Sequence, residues 1–299
     1  MGHTQVSGRQ SRGIQPTWVG VLMNTNRRTF LKTVGVSTIA AGGLAGVSGA
    51  RPGDPNARFD LTFDDAADAA DNTATAPGWV VDRRDPEAWN QAMVDGDYRL
   101  EIDIDETAET SGFYAYQGRK YQDADGASWN AGRGSWLSYR FYVDPDWEAD
   151  NLSRQTGVWP VLGNSAGSIS AYPILEYQSS EANEENGEAG FRAYVYESDE
   201  DGNFVTDEWV SLGVPRKLKF DPAEGGWVEV SAQLQRTSGG AALKWRVNNK
   251  LVADERGYNV FAPSTQFLEF IFNSRNFAED ATYYYDDVTL TEPGTAGKN

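Results

Sequence analysis

Apolar and polar side chains alternate with a period of two along much of the chain after residue 57. The segment 135–143 shows the pattern most clearly, because its most apolar residues all fall on one side. That side comprises Leu137, Tyr139, Phe141 and Val143, and the other side comprises Trp136, Ser138, Arg140 and Tyr142. Such alternation predicts a β-strand with one face in a core and the other towards solvent.

Similar segments recur at short intervals and are separated by turn-forming residues. They span 58–64, 79–83, 98–105, 113–121, 157–162, 171–178, 191–196, 227–234, 242–247, 267–272 and 283–290. Residues 85–89 are predicted to form a turn, and residues 65–77 form a short helix or a loop. No segment has the period of an amphipathic helix. The sequence therefore predicts an all-β chain, with at least ten short antiparallel strands in a single-domain β-sandwich.

Acidic residues strongly outnumber basic ones. The chain has 44 acidic and 26 basic residues, and residues 1–50 hold five of the basic ones and none of the acidic ones. The remainder therefore carries 21 basic and 44 acidic residues, a net charge of −23. This charge argues against binding to DNA, RNA or an anionic membrane. It is typical of proteins from extreme halophiles, in which salt screens the repulsion; an ordinary acidic secreted protein is the alternative.

The first fifty residues contain a motif for export. The sequence Asn-Arg-Arg-Thr-Phe-Leu-Lys at residues 26–32 precedes an uncharged run at 33–50 that is rich in Gly, Ala and Ser. This pattern resembles a twin-arginine translocation signal. The run is too weakly apolar to remain as a membrane span. We expect export in folded form to an extracellular location, with Met23 as an alternative start.

The signal sets the predicted organisation of the chain. Residues 1–50 form the signal region, 51–57 a short linker, 58–292 the β-sandwich domain and 293–299 a flexible tail. We expect a monomer.

The amino-acid inventory excludes several kinds of catalysis. The chain has no cysteine, and its single histidine, His3, lies in the signal region. The exported part therefore has no Ser-His-Asp triad, thiolate nucleophile or histidine-ligated zinc or copper site. Any catalysis must use Asp, Glu, Tyr, Lys, Arg or a hard metal ion such as calcium.

Three segments resemble the concanavalin A-like, or laminin G-like, jelly roll of lectins, glucanases and glycan-binding modules. Residues 59–64 are similar to its opening strand, 227–252 to a tryptophan-led hairpin and 283–290 to its closing strand. The resemblance covers most of residues 58–292 and implies an antiparallel β-sandwich of jelly-roll type. It does not imply one function, because this fold hosts enzymes, lectins and structural modules.

Residues 101–106 (EIDIDE) resemble the Glu-x-Asp-x-Glu strand of family 16 glycoside hydrolases. The resemblance implies Glu101 as nucleophile, Asp103 as a tuning residue, and Asp105 or Glu106 as acid/base. Alternation puts Glu101, Asp103 and Asp105 on one face. However, Asp105 is one methylene short for the carboxyl spacing of about 5–5.5 Å in retaining enzymes, and Glu106 faces the other side unless a bulge intervenes. A solvated strand face is the alternative interpretation.

A set of polar and aromatic residues on several predicted strands is suited to binding a sugar. Aromatic faces stack on sugar rings, and carboxylate, amide and guanidinium groups hydrogen-bond hydroxyls. The candidates are Trp159, Tyr172, Glu176, Arg192, Tyr194 and Asn273. The alternative is that each is an outer-face residue whose neighbours satisfy it. Alginate lyases that share the resembled fold use a histidine with a tyrosine, so the missing histidine counts against that chemistry.

Four aspartates are candidates for a structural calcium site. Asp286 and Asp287 lie near the chain's end, and in the resembled fold the closing strand neighbours the opening one, which carries Asp60 and Asp64. Carboxylates and loop carbonyls supply the six to eight oxygens that calcium prefers. Adjacent strand residues face opposite ways, so only one of the closing pair is expected to ligate. We expect no other cofactor.

Taken together, these features lead us to expect a secreted, non-catalytic protein that binds a polysaccharide or other glycan. One alternative is a polysaccharide-degrading enzyme, either a family 16-like glycoside hydrolase or a lyase that lacks histidine. Another is a structural protein of the cell surface. The sequence alone does not select among these three.

Overall fold

Eighteen β-strands dominate the described part of the computed structural model, which covers residues 56–198, 204–237, 240–253, 260–261 and 264–293. In chain order they are β1 (Ala57–Leu61), β2 (Gly78–Val81), β3 (Ala88–Val94), β4 (Asp97–Asp103), β5 (Tyr116–Gln122), β6 (Ala131–Gly132), β7 (Trp136–Val143), β8 (Gln155–Gly163), β9 (Ile169–Ala171), β10 (Ile174–Gln178), β11 (Gly190–Ser198), β12 (Phe204–Gly213), β13 (Gly226–Thr237), β14 (Gly240–Val247), β15 (Lys250–Ala253), β16 (Val260–Phe261), β17 (Gln266–Arg275) and β18 (Thr282–Thr291). Helical structure in these residues is limited to short pieces. They are α1 (Asp146–Ala149) and 3-10 turns at Ala66–Ala69, Gly112–Ala115, Ala124–Gly126 and Arg216–Leu218.

The strands form two antiparallel sheets of nine strands each. Sheet I has the order β15-β14-β13-β7-β18-β4-β3, with β1 on β18 and β16 on β14. Sheet II has the order β12-β11-β10-β8-β17-β5-β2, with β6 on β17 and β9 on β8. In both sheets a late strand pairs between two early ones, β18 in sheet I and β17 in sheet II. The predicted all-β antiparallel sandwich of jelly-roll type is thus confirmed.

The core lies between the two sheets, and the alternation in β7 is confirmed. Leu137, Tyr139, Phe141 and Val143 are all at most 2% exposed, whereas Arg140 on the other face is partly exposed. Across the sandwich, β17 contributes Phe272 to this core. Its ring lies 5.9 Å from that of Tyr139 and 5.1 Å from that of Tyr285 on β18. Edge-to-face aromatic packing of this kind stabilises the contact between the two sheets.

Opening and closing strands are neighbours, as the resemblance to the jelly roll implied. β1 pairs antiparallel with β18, and Asp60 lies opposite Thr289. The Thr289 hydroxyl donates to Asp60 Oδ1 at 3.0 Å.

Two local predictions were wrong. Residues 85–89 were expected to form a turn, but strand β3 begins at Ala88 and pairs with β4. Residues 113–121 were expected to be strand throughout, but residues 112–115 form a 3-10 turn and β5 begins only at Tyr116. In β3, pairing with a neighbour outweighs a weak local hydrophobic pattern.

A second, smaller hydrophobic cluster lies on the outer face of sheet II. It includes Trp159 and Val161 of β8, with Ile174 of β10 and Ile271 of β17. The alternate residues of β8, such as Val158, belong to the main core. This strand is therefore buried on both faces, which explains why its residues 157–162 are apolar throughout.

Candidate functional site

A cleft of about 820 Å³ opens on the outer face of sheet II. Strand residues Trp159, Ile174 and Tyr194 line it, and their chain neighbours point into the main core. Seven large hydrophobic side chains are exposed in the described residues, and four of them line this cleft. These four are Phe113, Tyr114, Ile169 and Tyr172. The exposed apolar surface is thus concentrated at one place, which is typical of a binding site.

Five residues lie side by side across the middle of sheet II. Strand register aligns, from β11 to β5, Arg192, Glu176, Gly157, Asn273 and Gly118. A Cβ atom at Gly118 would come 1.9 Å from the Phe272 carbonyl oxygen, and one at Gly157 2.5 Å from that of Leu175. Both positions therefore require glycine, and the Asn273 side chain lies between them.

Glu176 is the hub of a buried hydrogen-bond network in this row. It is 1% exposed. Its Oε1 accepts from Trp159 Nε1 at 3.0 Å. Its Oε2 accepts from Gln155 Nε2 at 2.6 Å, from Arg192 Nη2 at 2.9 Å and from the Tyr116 hydroxyl at 3.3 Å. The carboxylate is saturated by protein donors, so it orients the side chains around it.

The same network sets the pKa values of its partners. Burial raises the pKa of the Tyr116 hydroxyl far above its usual range, and the Glu176 carboxylate adds to the shift. Burial is the largest single effect on the pKa of Arg192 and lowers it, but Glu176 and Tyr116 together outweigh burial and the net shift is upward. The Arg192 guanidinium also stacks on Trp209, 3.9 Å from the ring centroid. Tyr116 is therefore a neutral donor, and Arg192 is a fixed cation.

Asn273 is the exception in this row. It is 1% exposed, yet within the described residues neither polar atom of its amide has a partner with hydrogen-bond geometry. It lies close enough to Asp82 to lower the pKa of that carboxyl, as do Arg83 and Lys120. Burial is the larger effect and leaves the pKa of Asp82 raised overall. Asp82 is therefore the side chain that the buried Asn273 amide approaches.

Arg83 and Tyr172 complete the polar part of the cleft. The Arg83 guanidinium lies 4.7 Å from the centroid of the Trp159 ring, and its Nη1 is 2.8 Å from Asp82 Oδ2. Burial, followed by the Glu269 carboxylate, raises the pKa of the Tyr172 hydroxyl. The cleft thus combines a cation, a carboxyl group with a raised pKa and a protonated phenol.

The structure brings the six predicted ligand-binding residues onto one face of sheet II. Trp159, Tyr172 and Tyr194 line the cleft, and the other three, Glu176, Arg192 and Asn273, form the row beside it. The sequence did not single out Asp82, Arg83, Phe113, Tyr114 and Ile169. The only available signal was that Asp82 and Arg83 follow a short apolar strand.

The carboxylates predicted from the hydrolase resemblance lie on the other sheet. Glu101 and Asp103 are on the outer face of β4 in sheet I, since their chain neighbours Leu100 and Ile102 are buried in the core. The strand ends at Asp103, and Asp105 follows in a loop, where Oδ1 accepts from the Thr107 backbone. Glu101 and Asp103 therefore face away from the cleft sheet, whereas the Asp105 backbone forms two hydrogen bonds of 2.8 Å with the Gln117 side chain of β5.

The proposed calcium ligands make other contacts. Asp286 is 1% exposed and forms ion pairs with Arg140 and, at 3.2 Å, with Arg99. A bulge in β18 and a φ of 49° at Asp287 bring that carboxylate to Arg140 as well, at 2.8 Å. In the described ranges no group of three or more His, Asp or Glu is arranged to hold a metal ion. The calcium site stays a prediction.

The predicted export signal, most of the linker and the tail beyond residue 293 lie outside the described residues. Within the residues that are described, no helix has the length and apolar character needed to cross a membrane.

Comparison with known proteins gives only distant likenesses. No protein-family model matches the chain, and no curated protein matches it. Similar solved structures include a glucuronan lyase from the fungus Trichoderma reesei (14% identity, 74% of this chain and 94% of that chain, TM-score 0.44). They also include an alginate lyase from Chlorella virus (13%, 72% and 93%, 0.42) and a family 16 endo-glucanase from Bacteroides ovatus (10%, 78% and 99%, 0.48). At this distance the likeness assigns no activity to this chain.

Proposed function

We propose that this protein is a polysaccharide-degrading enzyme whose active site is the cleft on sheet II. Exposed aromatic rings at Phe113, Tyr114 and Tyr172 suit stacking on sugar rings. The cleft volume, about 820 Å³, lies in the range of roughly 300–1,000 Å³ that is usual for ligand sites. Its polar groups lie together beside an apolar lining, the usual arrangement for binding a sugar and reacting with it.

The observation that carries the proposal is the environment of Asp82 in the cleft. Burial raises the pKa of this carboxyl, although Arg83, Lys120 and the buried Asn273 amide lower it. Asp82 lines the cleft together with Arg83, and their side chains are 2.8 Å apart. A cleft carboxyl whose pKa is perturbed by burial and by specific neighbours is a feature of catalytic sites rather than of passive surfaces.

The composition of the cleft favours β-elimination over hydrolysis. Hydrolysis by the common mechanism needs two carboxyl groups across the scissile bond. Asp82 is the carboxylate among the described lining residues, and Glu176 is closed off by its donors. Elimination from a uronate needs the substrate carboxylate to be neutralised and one proton to be moved. Arg83, a cation that lines the cleft, is suited to the first task.

We assign the proton transfers to Asp82 and Tyr172. The Asp82 carboxylate takes the proton next to the sugar carboxyl group, and those electrons form the new carbon–carbon double bond. The glycosidic oxygen then leaves with a proton from the Tyr172 hydroxyl. A raised pKa makes Asp82 a better base than an ordinary aspartate and keeps Tyr172 protonated. This route needs no histidine.

The test is an assay of the full chain in molar salt on uronate polymers and on neutral β-glucans. Elimination predicts products that absorb in the ultraviolet from the uronate polymers only. New reducing ends without that absorbance would instead indicate hydrolysis. Retention of polymer without cleavage would indicate a non-catalytic binding protein. Absence of both retention and cleavage would favour a structural protein of the cell surface.

Export supports an action on polymers outside the cell, and we propose it from the paired arginines Arg27 and Arg28. Replacing both by lysine should leave the protein inside the cell. Normal secretion of that variant would contradict the proposal.

A further inference from the structure

A small polar pocket lies beside the cleft on the same face of sheet II. Its volume is about 160 Å³, and its lining includes Arg192, Trp209 and Arg275. Tyr194, which lines the cleft, is two residues beyond Arg192 on β11, so the two side chains point the same way. Tyr194 and Trp209 lie opposite each other in register, with rings 5.4 Å apart. This side pocket is therefore separated from the cleft by one pair of aromatic rings.

Arg275 places in the side pocket a guanidinium that forms no ion pair with a carboxylate of the described residues. Its guanidinium lies 4.8 Å from the centroid of the Phe277 ring. Its Nε is buried and has no hydrogen-bond partner in the described part of the chain, where no carboxylate pairs with it either. Other arginines of this acidic protein have such partners, including Arg99, Arg119, Arg140, Arg154 and Arg192. A guanidinium that lines a pocket and has no carboxylate partner is available to an anionic ligand.

The remaining lining suits a ligand that is attached to a larger molecule. Gln178 and Asn183 are 3% and 5% exposed and place polar side chains at the pocket. Two exposed carboxylates, Glu184 and Glu185, also line it and repel a free anion. Salt screens that repulsion. Attachment to a polymer already held in the cleft raises the local concentration of the anionic group, so binding becomes effectively intramolecular.

We propose that the side pocket accepts an oxyanion substituent of the polysaccharide bound in the cleft, and that Arg275 binds it. A planar guanidinium binds a carboxylate or a sulfate ester through two parallel hydrogen bonds. The pocket is smaller than the roughly 300 Å³ at which sites for whole ligands begin, so it fits one substituent rather than a length of chain. The inference rests on the proposed function, because the cleft must hold the polymer.

The test compares Arg275→Gln with the full wild-type chain in binding to matched oligosaccharides. The set contains a carboxylated, a sulfated and a neutral, carboxyl-reduced form. Arg246→Gln is the matched control, because the Arg246 guanidinium stacks on Trp136 at 5.8 Å on the outer face of sheet I. Arg275→Gln should weaken binding of an acidic form about tenfold or more and leave the neutral form within about twofold. The acidic oligosaccharide whose affinity falls more identifies the substituent. Arg246→Gln should leave the affinity for acidic and neutral forms unchanged.

Three results would overturn the inference. These are equal losses for acidic and neutral forms, no loss for any form, or the same loss in Arg246→Gln. If the wild type cleaves polymers but Arg275→Gln affects acidic and neutral oligosaccharides alike, the inference fails and the proposed function stands. If acidic oligosaccharides bind through Arg275 but are never cleaved, the inference stands and the enzymatic function fails. Absence of any binding would remove both.

Discussion

The outer faces of the two sheets both carry a carboxyl group whose pKa is raised by burial, but they differ in whether that group is open to a ligand. On sheet I, Asp286 is buried between Arg99 and Arg140, and the three form one network of ion pairs. On sheet II, Asp82 pairs with Arg83, and both residues line the cleft. A charge network that is covered by protein contributes only to the fold, whereas charged groups that line a cleft are available to a ligand.

Aromatic residues show the same difference. Trp227 on the outer face of sheet I is flanked by the guanidiniums of Arg99 and Arg140, at 5.1 and 5.4 Å from its ring. Around the cleft, Phe113 and Tyr114 are 51% and 65% exposed. Rings that are already covered cannot stack on a sugar, and the two most exposed rings of the described residues lie at the cleft.

The largest expected effect is on catalysis and comes from Asp82→Asn. Removing the proton-transfer group should lower kcat/KM for a uronate polymer by roughly 10²- to 10⁴-fold. The fold should persist, because a neutral amide replaces a carboxyl that burial already disfavours in its charged form. Steady-state kinetics and the melting temperature check both statements. Full activity in a folded Asp82→Asn protein would contradict the assignment.

The next largest effect is on stability and comes from Glu176→Ala. The substitution leaves the Arg192 guanidinium and the Trp159 and Gln155 donors without their acceptor. Breaking a buried pair in this way costs about 3–5 kcal/mol. Urea unfolding at constant salt measures the loss. Glu176→Gln keeps an acceptor and should lose less stability than Glu176→Ala. Equal stability of Glu176→Ala and wild type would show that the hydrogen-bond network does not stabilise this part of sheet II.

A smaller effect is the pH dependence due to Asp286. Burial raises the pKa of Asp286 from 3.8 to about 6. The Asp287 carboxylate adds to the shift, and Arg140 and Arg99 oppose it. The folded state therefore binds this proton more tightly than the unfolded state. The stability that the group contributes is complete below its unfolded pKa and is lost as the pH rises through about 6.

Comparison with Asp286→Asn isolates this contribution. The free energy of unfolding of wild type, relative to that of the variant, should fall by at most about 3 kcal/mol as the pH rises from about 4 to 7. Urea unfolding across that range provides the measurement. A difference that stays constant or grows with pH would show that the arginines outweigh burial at this site.

The smallest effect is expected for Glu101→Gln on the outer face of sheet I. Asn90 Nδ2 donates to Glu101 Oε1 at 2.9 Å, and a glutamine keeps that acceptor. Stability should change by about 0.5 kcal/mol or less, and cleavage should not change. Loss of activity in this variant would indicate that the active site lies on sheet I and not in the cleft.

The sequence predicted the parts of the fold that local patterns encode. The alternation in residues 135–143 specified which side of β7 enters the core, because a strand with one buried face has a period of two. The segments 59–64 and 283–290 were expected to be neighbours, and β1 pairs with β18. The six predicted binding residues share one face of sheet II, although the sequence could not show that Glu176 is saturated by donors from three other strands.

The missed features depend on contacts between distant segments. The cleft lining joins residues 82–83, 113–114 and 169–174, and no local pattern relates them. The 3-10 turn at Gly112–Ala115 interrupts a segment whose aromatic residues favour a strand. Glu101 and Asp103 matched a catalytic motif in spacing, but only the sheet order shows that they face away from the cleft sheet.

Hydrogen–deuterium exchange of the full chain, with and without a bound uronate oligosaccharide, tests most directly whether the cleft is the substrate-binding site. We predict slower exchange in peptides that cover residues 82–84, 112–116 and 169–174, which form or flank the cleft. Peptides that cover residues 97–103 and 226–231 on sheet I should be unchanged. Slower exchange on sheet I with no change around the cleft would contradict the account.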